Sequence, residues 1–262
     1  MDSVKKWDSV AADYQRVYGL GKSEYSALLM GFLLEEGLLR PGCRVLDIGC
    51  GVGKYGTYMA ELGCDVTLTD ISPEMLRRAG ENMAPFKSPW RTLLGDFSGF
   101  SGDEEALKGG FDLVMSTMCP AVHDLKTVKK MSRLAEPWCF LSRFVSWEQP
   151  ERDRLMKSLG LQPRAMMDNM EEDCRKLTAA VSAAGYLPRI KYADYSWQDR
   201  RSPQGFADYV SRRLYPEAEE GFAEKLRRGA EAMAGPDGLI TDSVDTKVIW
   251  IYWNTNEKGE RT

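Results

Sequence analysis

The sequence predicts an α/β fold, a parallel sheet covered by helices on both faces. Three observations carry that prediction. Between residues 43 and 145, short apolar runs alternate with amphipathic stretches, the pattern of repeated strand–helix–strand units. The run Arg44-Val45-Leu46-Asp47-Ile48 leads into Gly49-Cys50-Gly51-Val52-Gly53, so a buried strand feeds a tight turn and then a helix. After a long charged insertion, the chain closes on Val244–Trp253, which alternates and is rich in aromatics, as a last strand would.

At 262 residues the chain is long enough for one large domain, or for a core with an elaborated cap. Hydrophobic residues make up 43% and charged residues 28%, which places it among ordinary globular proteins. The formal charge of -4 is spread over both halves and disfavours a nucleic-acid partner. No apolar run approaches the roughly 20 residues of a membrane span. The opening MDSVKKWDSV lacks the apolar core of a signal peptide, so a cytoplasmic location is expected. Six cysteines form no C-x-x-C pair, and there is a single histidine; free thiols and no metal site are expected.

The elements follow in order. Val4, Trp7, Val10, Ala11, Tyr14 and Tyr18 recur at helical spacing over residues 3–18. A second helix is predicted from Ser23 to Gly37, which stops it, and Arg40-Pro41-Gly42 turns the chain into the first strand, Cys43–Ile48. Lys54–Leu62 is a helix closed by Gly63, and Cys64–Thr69 a strand reaching Asp70. Ser72-Pro73-Glu74 opens the next helix with an N-cap, a proline at its first position and an acid in its first turn; it runs to Met83. Arg91–Leu94 is a short strand ending at Gly95-Asp96-Phe97, and Ser101–Gly110 holds at most a short helix. Phe111–Ser116 is an unbroken apolar run suited to a sheet interior. Asp124–Leu134 reads as helix and Trp138–Val145 as strand. Beyond it, helices are expected at 151–160, 169–184, Gln204–Leu214 and Glu217–Met233, with a strand at Leu187–Trp197. The predicted organisation is a single domain over residues 1–262. It comprises a helical lid at 1–40, a core at 41–146 and a C-terminal part at 147–262, whose cap of 198–243 precedes the last strand.

The glycine turn fits two cofactor classes. Gly51-Val52-Gly53-Lys54-Tyr55-Gly56 reads G-x-G-x-x-G, and Asp70 lies 19 residues beyond Gly51, as a dinucleotide site requires. Against that stands Asp47, two residues before Gly49. A carboxylate there repels a pyrophosphate and suits a cationic ligand. Successive strands end in Asp47, Asp70 and Asp96, and ionised carboxylates only accept hydrogen bonds. They match a ligand offering an amine, a ribose diol and an exocyclic amino group.

VLDIGCGVGKYG, TDISPEML, LLGDF and FDLVMS together resemble the class I S-adenosylmethionine-dependent methyltransferases, of the small-molecule type. The motifs cover residues 43–116, and the order of elements extends the resemblance to 145 and more loosely beyond. Trp7-Asp8-x-x-Ala11-x-x-Tyr14 is similar to the N-terminal helix of many small-molecule members. The resemblance implies a Rossmann-like sheet of seven strands in the order 3-2-1-4-5-7-6, with strand seven antiparallel. It implies S-adenosylmethionine as cofactor and S-adenosylhomocysteine as product. Gly49, Cys50 and Gly51 would pass close to the methionine part, with Asp47 on its amino group. Asp70 would take the ribose hydroxyls, and Ile71 and Met75 would flank the adenine. Asp96 would accept from the adenine amino group, Phe97 would donate from its backbone, Ser116 would face the methionine or methyl end, and Tyr14 would close the pocket.

Methyl transfer is an in-line displacement, which alignment and exclusion of water can drive without a catalytic dyad. His123, after the fourth strand, is a candidate general base; its ordinary pKa of about 6.5 suits that task. Cys119 is followed by Pro120, the reverse of the Pro-Cys order of cytosine-C5 RNA methyltransferases, so covalent catalysis is not expected. The expected acceptor is a small molecule. An RNA or protein acceptor, or a nicotinamide-dependent oxidoreductase, is the alternative. Trp147, Tyr192, Tyr195, Trp197, Phe206, Tyr209 and Tyr215 are candidate pocket walls, and Arg143, Arg200 and Arg201 candidate anion contacts.

Overall fold

A computed structural model describes residues 3–18, 24–102, 104–163, 169–215 and 219–259. Ser23, residues 164–168 and Glu217 with Ala218 lie outside the described residues. The chain divides into two compact units. The first holds residues 1–143, 173–191 and 249–262; the second holds 144–172 and 192–248. The second unit is therefore wider than the 198–243 insertion, because the ends of three strands and the helix after residue 149 belong to it.

The strands are β1 (Arg44–Ile48), β2 (Asp65–Asp70), β3 (Trp90–Leu94), β4 (Phe111–Thr117), β5 (Ala135–Glu148), β6 (Arg189–Arg201) and β7 (Ile240–Asn254). They form one mixed sheet in the order β3-β2-β1-β4-β5-β7-β6, as expected. Strands β5, β6 and β7 run longer than the apolar patterns that predicted them. Glu136 and Glu148 in β5, and Gln198 to Arg201 in β6, are polar strand residues that hydropathy assigns to loops.

In the first unit β1 is central, paired in parallel with β2 and β4. Its register sets Asp47 opposite Leu68 and Met115, and β2 sets Asp70 opposite Leu94 of β3. Parallel pairing with this register brings the ends of β1, β2, β3 and β4 to one edge of the sheet, where open α/β sheets place ligands. Helices α1 (Ser3–Tyr18), α2 (Glu24–Glu35), α3 (Lys54–Glu61), α4 (Pro73–Met83), α5 (Leu125–Leu134) and α7 (Met170–Ala183) belong to this unit. Helix α4 starts as predicted: Ser72 is the N-cap, its side chain accepts from the Met75 N–H at 3.0 Å, and Pro73 follows. Helix α5 starts one residue later than predicted, because Asp124 is its N-cap in a reciprocal capping box with Thr127.

The core of this unit is aromatic at its centre. Trp250 and Trp253 of β7 are fully buried with Phe111 and Phe140. Phe32 of α2 lies 4.6 Å from Trp250, ring centre to ring centre. Each indole N–H finds an acceptor: Trp250 donates to the Tyr25 hydroxyl at 3.2 Å, and Trp253 to Ser132 Oγ at 3.0 Å. Buried tryptophans need such partners, because an unpaired donor costs about 1–3 kcal/mol.

The second unit packs α6 (Pro150–Ser158), α8 (Pro203–Leu214) and α9 (Glu220–Glu231) around Leu155, Met156, Phe206, Val210 and Leu226, with Ile240 of β7. Phe206 is fully buried there, so among the candidate pocket walls it is a core residue. Asp242 is also buried; it accepts from Gln149 Nε2 at 2.8 and 2.9 Å and lies 3.4 Å from Arg201 Nε.

Candidate cofactor site

The turn after β1 is built by backbone bonds to the neighbouring strand. The Gly49 and Cys50 N–H groups both donate to the Thr69 carbonyl, at 2.8 and 2.9 Å, and Gly53 N–H to the Cys50 carbonyl at 3.0 Å. Gly49 has φ +71 and Gly51 φ +55, conformations that side chains other than glycine's rarely adopt. The two glycines differ in what lies above them. A Cβ on Gly49 would meet Cys119 Sγ at 1.9 Å, whereas one on Gly51 would meet nothing within 4 Å. The backbone is thus bare above Gly51, and the loop after β4 closes down on Gly49.

Asp47 is 1% exposed, and its Oδ2 has no hydrogen-bond partner. Burial, and then the charge of Asp70, pushes its carboxyl up to about 7. Ser116 Oγ and Thr117 Oγ1, at the end of β4, are likewise buried without partners. Such groups cost free energy unless something pairs with them. A ligand that brings an ammonium group and other donors fits this set.

Asp70 is half-buried and already engaged: Oδ2 accepts from the Gly51 N–H at 2.9 Å and Oδ1 from the Ser72 N–H at 2.9 Å. Burial raises its pKa, against the lowering effect of these bonds. Each carboxylate oxygen carries two lone pairs, so both keep capacity for a diol. Ile71 is half-buried beside it. Cys50 is buried, its thiol 3.4 Å from the Gly51 carbonyl, and burial raises it well above the usual thiol range.

Tyr14, Val52 of the turn and Met75 of α4 belong to one apolar cluster, with Trp7, Val10 and Ala11. Tyr14 stands edge-on to Trp7 at 5.8 Å. Helix α1 thus packs beside the glycine turn. Phe97 is buried and edge-on to Phe100. Asp96 is exposed; its Oδ1 accepts from the Ser98 N–H at 2.9 Å and caps a short 3-10 turn.

His123 is placed differently from these residues. Its side chain is 62% exposed, Nδ1 lies 3.1 Å from the Pro120 carbonyl, and Nε2 is 3.9 Å from Asp124 Oδ2. The Asp124 carboxylate is held by the Thr127 N–H and hydroxyl, so its orientation serves the α5 cap. Sequence adjacency of a histidine and an acid here makes a helix start. Cys119 is half-buried, and burial pushes its thiol up to about 11, which disfavours the thiolate a nucleophile needs.

Four residues of the site have no signal in hydropathy. Asp8 Oδ1 accepts from Ser72 Oγ at 2.5 Å and from the Glu74 N–H at 3.2 Å, so α1 caps α4. Asn82 donates to the Val52 carbonyl at 2.8 Å and exchanges amide bonds with Gln15. Arg143 donates to the Ser142, Val122 and Ser116 carbonyls, at 2.7, 2.8 and 3.4 Å, and holds the loop after β4. Among the described residues, no group of three or more histidines, cysteines or acids is arranged to hold a metal.

The sheet order, the glycine turn and the acids at its edge define a Rossmann-like methyltransferase fold. Comparison with known proteins agrees. Residues 45–138 match the family model described as a methyltransferase domain. Ribosomal protein L11 methyltransferase of Porphyromonas gingivalis is 41% identical over 71 residues, covering 27% of this chain and 24% of that protein. Magnesium-protoporphyrin O-methyltransferase of Rhodobacter capsulatus is 37% identical over 97 residues, 37% of this chain and 39% of that one. The chain thus spans less than half the length of these curated relatives. The crystal structure of magnesium protoporphyrin IX methyltransferase from Synechocystis PCC 6803, with bound SAH, superposes with a TM-score of 0.54 at 18% identity, over 94% of this chain and 97% of that one. Residues 45–138 thus carry the likeness to methyltransferase domains, and the superposition extends the shared fold over 94% of the chain.

Proposed function

We propose that the chain is an S-adenosylmethionine-dependent methyltransferase whose acceptor is a small molecule. The observation that carries this reading is Asp47: a buried carboxyl with an unpartnered oxygen, beside a turn that leaves the backbone bare at Gly51. That arrangement calls for a cationic ligand and argues against a pyrophosphate. S-adenosylmethionine supplies an electrophilic methyl group on a sulfonium and has an ammonium group at its other end.

In this reading Asp47 accepts from the ammonium, and Asp70 holds the ribose hydroxyls while keeping its two backbone donors. Gly49, Cys50 and Gly51 pass close to the methionine part, with the backbone bare at Gly51. Ile71 and Met75 flank the adenine, Asp96 accepts from its amino group, and the Phe97 backbone donates to it. Ser116 lies at the methionine end, and Tyr14 shields the site from the α1 side. The chain's contribution to catalysis is alignment and exclusion of water. His123, exposed before α5, is the candidate general base in this reading.

A small-molecule acceptor is supported by the net charge of -4, which gives no electrostatic footprint for nucleic acid. A relative that acts on magnesium-protoporphyrin is consistent with it. Among the described residues no helix is long and apolar enough to cross a membrane. Calorimetric titration with S-adenosylhomocysteine tests the cofactor. Saturable binding is expected at micromolar concentrations, and no heat at millimolar ligand would overturn the reading.

A further inference from the structure

We propose that Lys130 of α5 is a positioning residue for the adenine end of the cofactor site: its ammonium group fixes the peptides that aim the Asp96 carboxylate. The inference deepens the proposed function, and the adenine role it gives Lys130 rests on that reading.

One loop binds the Lys130 ammonium three times over. Nζ donates to the carbonyls of Phe97 and Ser98, at 3.0 and 2.9 Å, and to that of Phe100. An ammonium group carries three donors, so three acceptors match it. The same nitrogen lies 5.5 Å from the centre of the Phe97 ring. The loop is folded so that its carbonyls converge. Gly95 has φ +153, and a Cβ there would meet Phe100 Cε1 at 2.5 Å, so the Phe100 ring packs over a position that only glycine fits. Phe97 is buried beneath, edge-on to Phe100. All of these residues lie in the first unit.

Peptide planarity carries the effect from Lys130 to Asp96. In a trans peptide the carbonyl and the following N–H point in opposite directions, so pinning one aims the other. The Phe97 carbonyl shares its peptide with the Ser98 N–H, which donates to Asp96 Oδ1 at 2.9 Å. The Ser98 carbonyl shares its peptide with the Gly99 N–H, which donates to the Asp96 carbonyl at 2.9 Å. Two successive peptides therefore run from Lys130 to Asp96, one reaching its side chain and the other its backbone. With Oδ1 held, the carboxylate keeps one orientation and still has lone pairs for an amino group. Asp96 is exposed, so packing does not fix it, and the ordering has to come from these bonds. A lysine on the last carbonyls of a helical turn is by itself an ordinary cap. The other end of each peptide, on Asp96, gives Lys130 its part in recognition.

The test compares S-adenosylhomocysteine with S-inosylhomocysteine, which has a keto oxygen in place of the adenine amino group, in calorimetric titrations of the full chain. A keto oxygen offers the carboxylate no proton, so wild type should prefer the adenosyl compound about tenfold or more. Lys130→Met keeps the apolar stem and removes the donors; it should reduce that preference to about twofold. Lys126→Met, which removes an exposed charge one turn away on α5, should leave the preference as it is. Asp96→Asn should also collapse it, and adding Lys130→Met to that variant should change nothing further. Lys130→Gln has two amide donors on a shorter stem; it should fall between wild type and Lys130→Met, and it replaces that variant if Lys130→Met does not fold. In the ligand-free protein, amide hydrogen exchange at Ser98 and Gly99 should be faster in Lys130→Met than in wild type. An unchanged preference in the folded variant, or equal weakening of both compounds, would overturn the proposal. If wild type binds S-adenosylhomocysteine and the preference ignores Lys130, the lysine is a loop cap and the cofactor reading stands. If wild type binds neither compound, the cofactor reading falls and the adenine role of Lys130 falls with it.

Discussion

Each unit shuts a tryptophan N–H and an aspartate off from solvent, and the pairing is reversed between them. In the first unit the tryptophans are satisfied: Trp250 and Trp253 donate to Tyr25 and Ser132. The aspartate is not, because Asp47 Oδ2 has no partner. In the second unit Asp242 is held by Gln149 and faces Arg201, while the Trp147 N–H is unpartnered. Residue type therefore does not tell a structural group from a ligand-binding one. The test is whether the group's hydrogen-bonding capacity is met from within the protein. Satisfied groups hold a core together, and an unsatisfied one such as Asp47 Oδ2 is a place to test for a ligand.

The largest expected difference is between tryptophans. Trp250→Ala empties a fully buried site and removes one donor to the Tyr25 hydroxyl, so it should cost about 3–5 kcal/mol in chemical denaturation. Trp197→Ala removes a partly buried ring stacked on Tyr195 and should cost less, about 1–2 kcal/mol. Equal losses would dissolve the contrast, since Trp197 would then be a core residue like Trp250.

The unsatisfied aspartate gives the next effect, with opposite sign. Burial raises the folded-state pKa of Asp47 from 3.8 to about 7. Between those values the folded protein holds a proton that the unfolded chain has lost, so stability falls as pH rises through that window. Asp47→Asn removes the titration. Without ligand, the variant should be more stable than wild type at pH 8 by roughly 2–4 kcal/mol, and the advantage should vanish by pH 4. The same variant should bind S-adenosylhomocysteine more weakly. A pH-independent difference in stability would show that Asp47 finds a partner in solution.

The contrast also explains what the sequence revealed. The first unit is built from strands buried on both faces, whose apolar runs end at glycines and acids. Asp47, Asp70 and Asp96 could thus be picked out by position, and the seven-strand order followed from the family those motifs resemble. Ends of elements were less legible. Strands β5 and β6 continue through Glu148 and Gln198–Arg201, where pairing outweighs polarity. Asp8 showed only as part of the Trp7-Asp8 motif, and Gln15 and Asn82 were silent, because a polar residue on an amphipathic helix looks solvated until the neighbouring helix is in place. His123 stood out as the single histidine beside an acid, yet the pair sits at the exposed start of α5. Trp147 was visible as an aromatic, but its missing acceptor exists only in three dimensions.

Asp70 lies between the two cases, with two backbone donors in place and lone pairs to spare. Asp70→Ala should weaken S-adenosylhomocysteine by about 1.5–3 kcal/mol, the scale of hydrogen bonds to a charged group. Calorimetry gives the answer directly. Unchanged affinity would reduce Asp70 to a clamp on Gly51 and Ser72.

The smallest effect concerns Asp8, whose carboxylate is satisfied by two donors at the start of α4. It acts as a cap supplied by another helix, so Asp8→Ala should cost about 1 kcal/mol of stability, as loss of an N-cap does. Ser72 would keep its bond to the Met75 N–H, which is why the loss stays small. The consequence for α1 is more telling. Without Asp8, this helix keeps its apolar contacts with Val52 and Met75 and the Gln15–Asn82 pair, but loses its charged tie to α4. Limited proteolysis should then cut within residues 3–18 faster than in wild type, and saturating S-adenosylhomocysteine should slow that cleavage if Tyr14 shields the bound cofactor. Protection in wild type that disappears in Tyr14→Ala would assign the shielding to that ring; equal cleavage with and without ligand would leave α1 as packing alone.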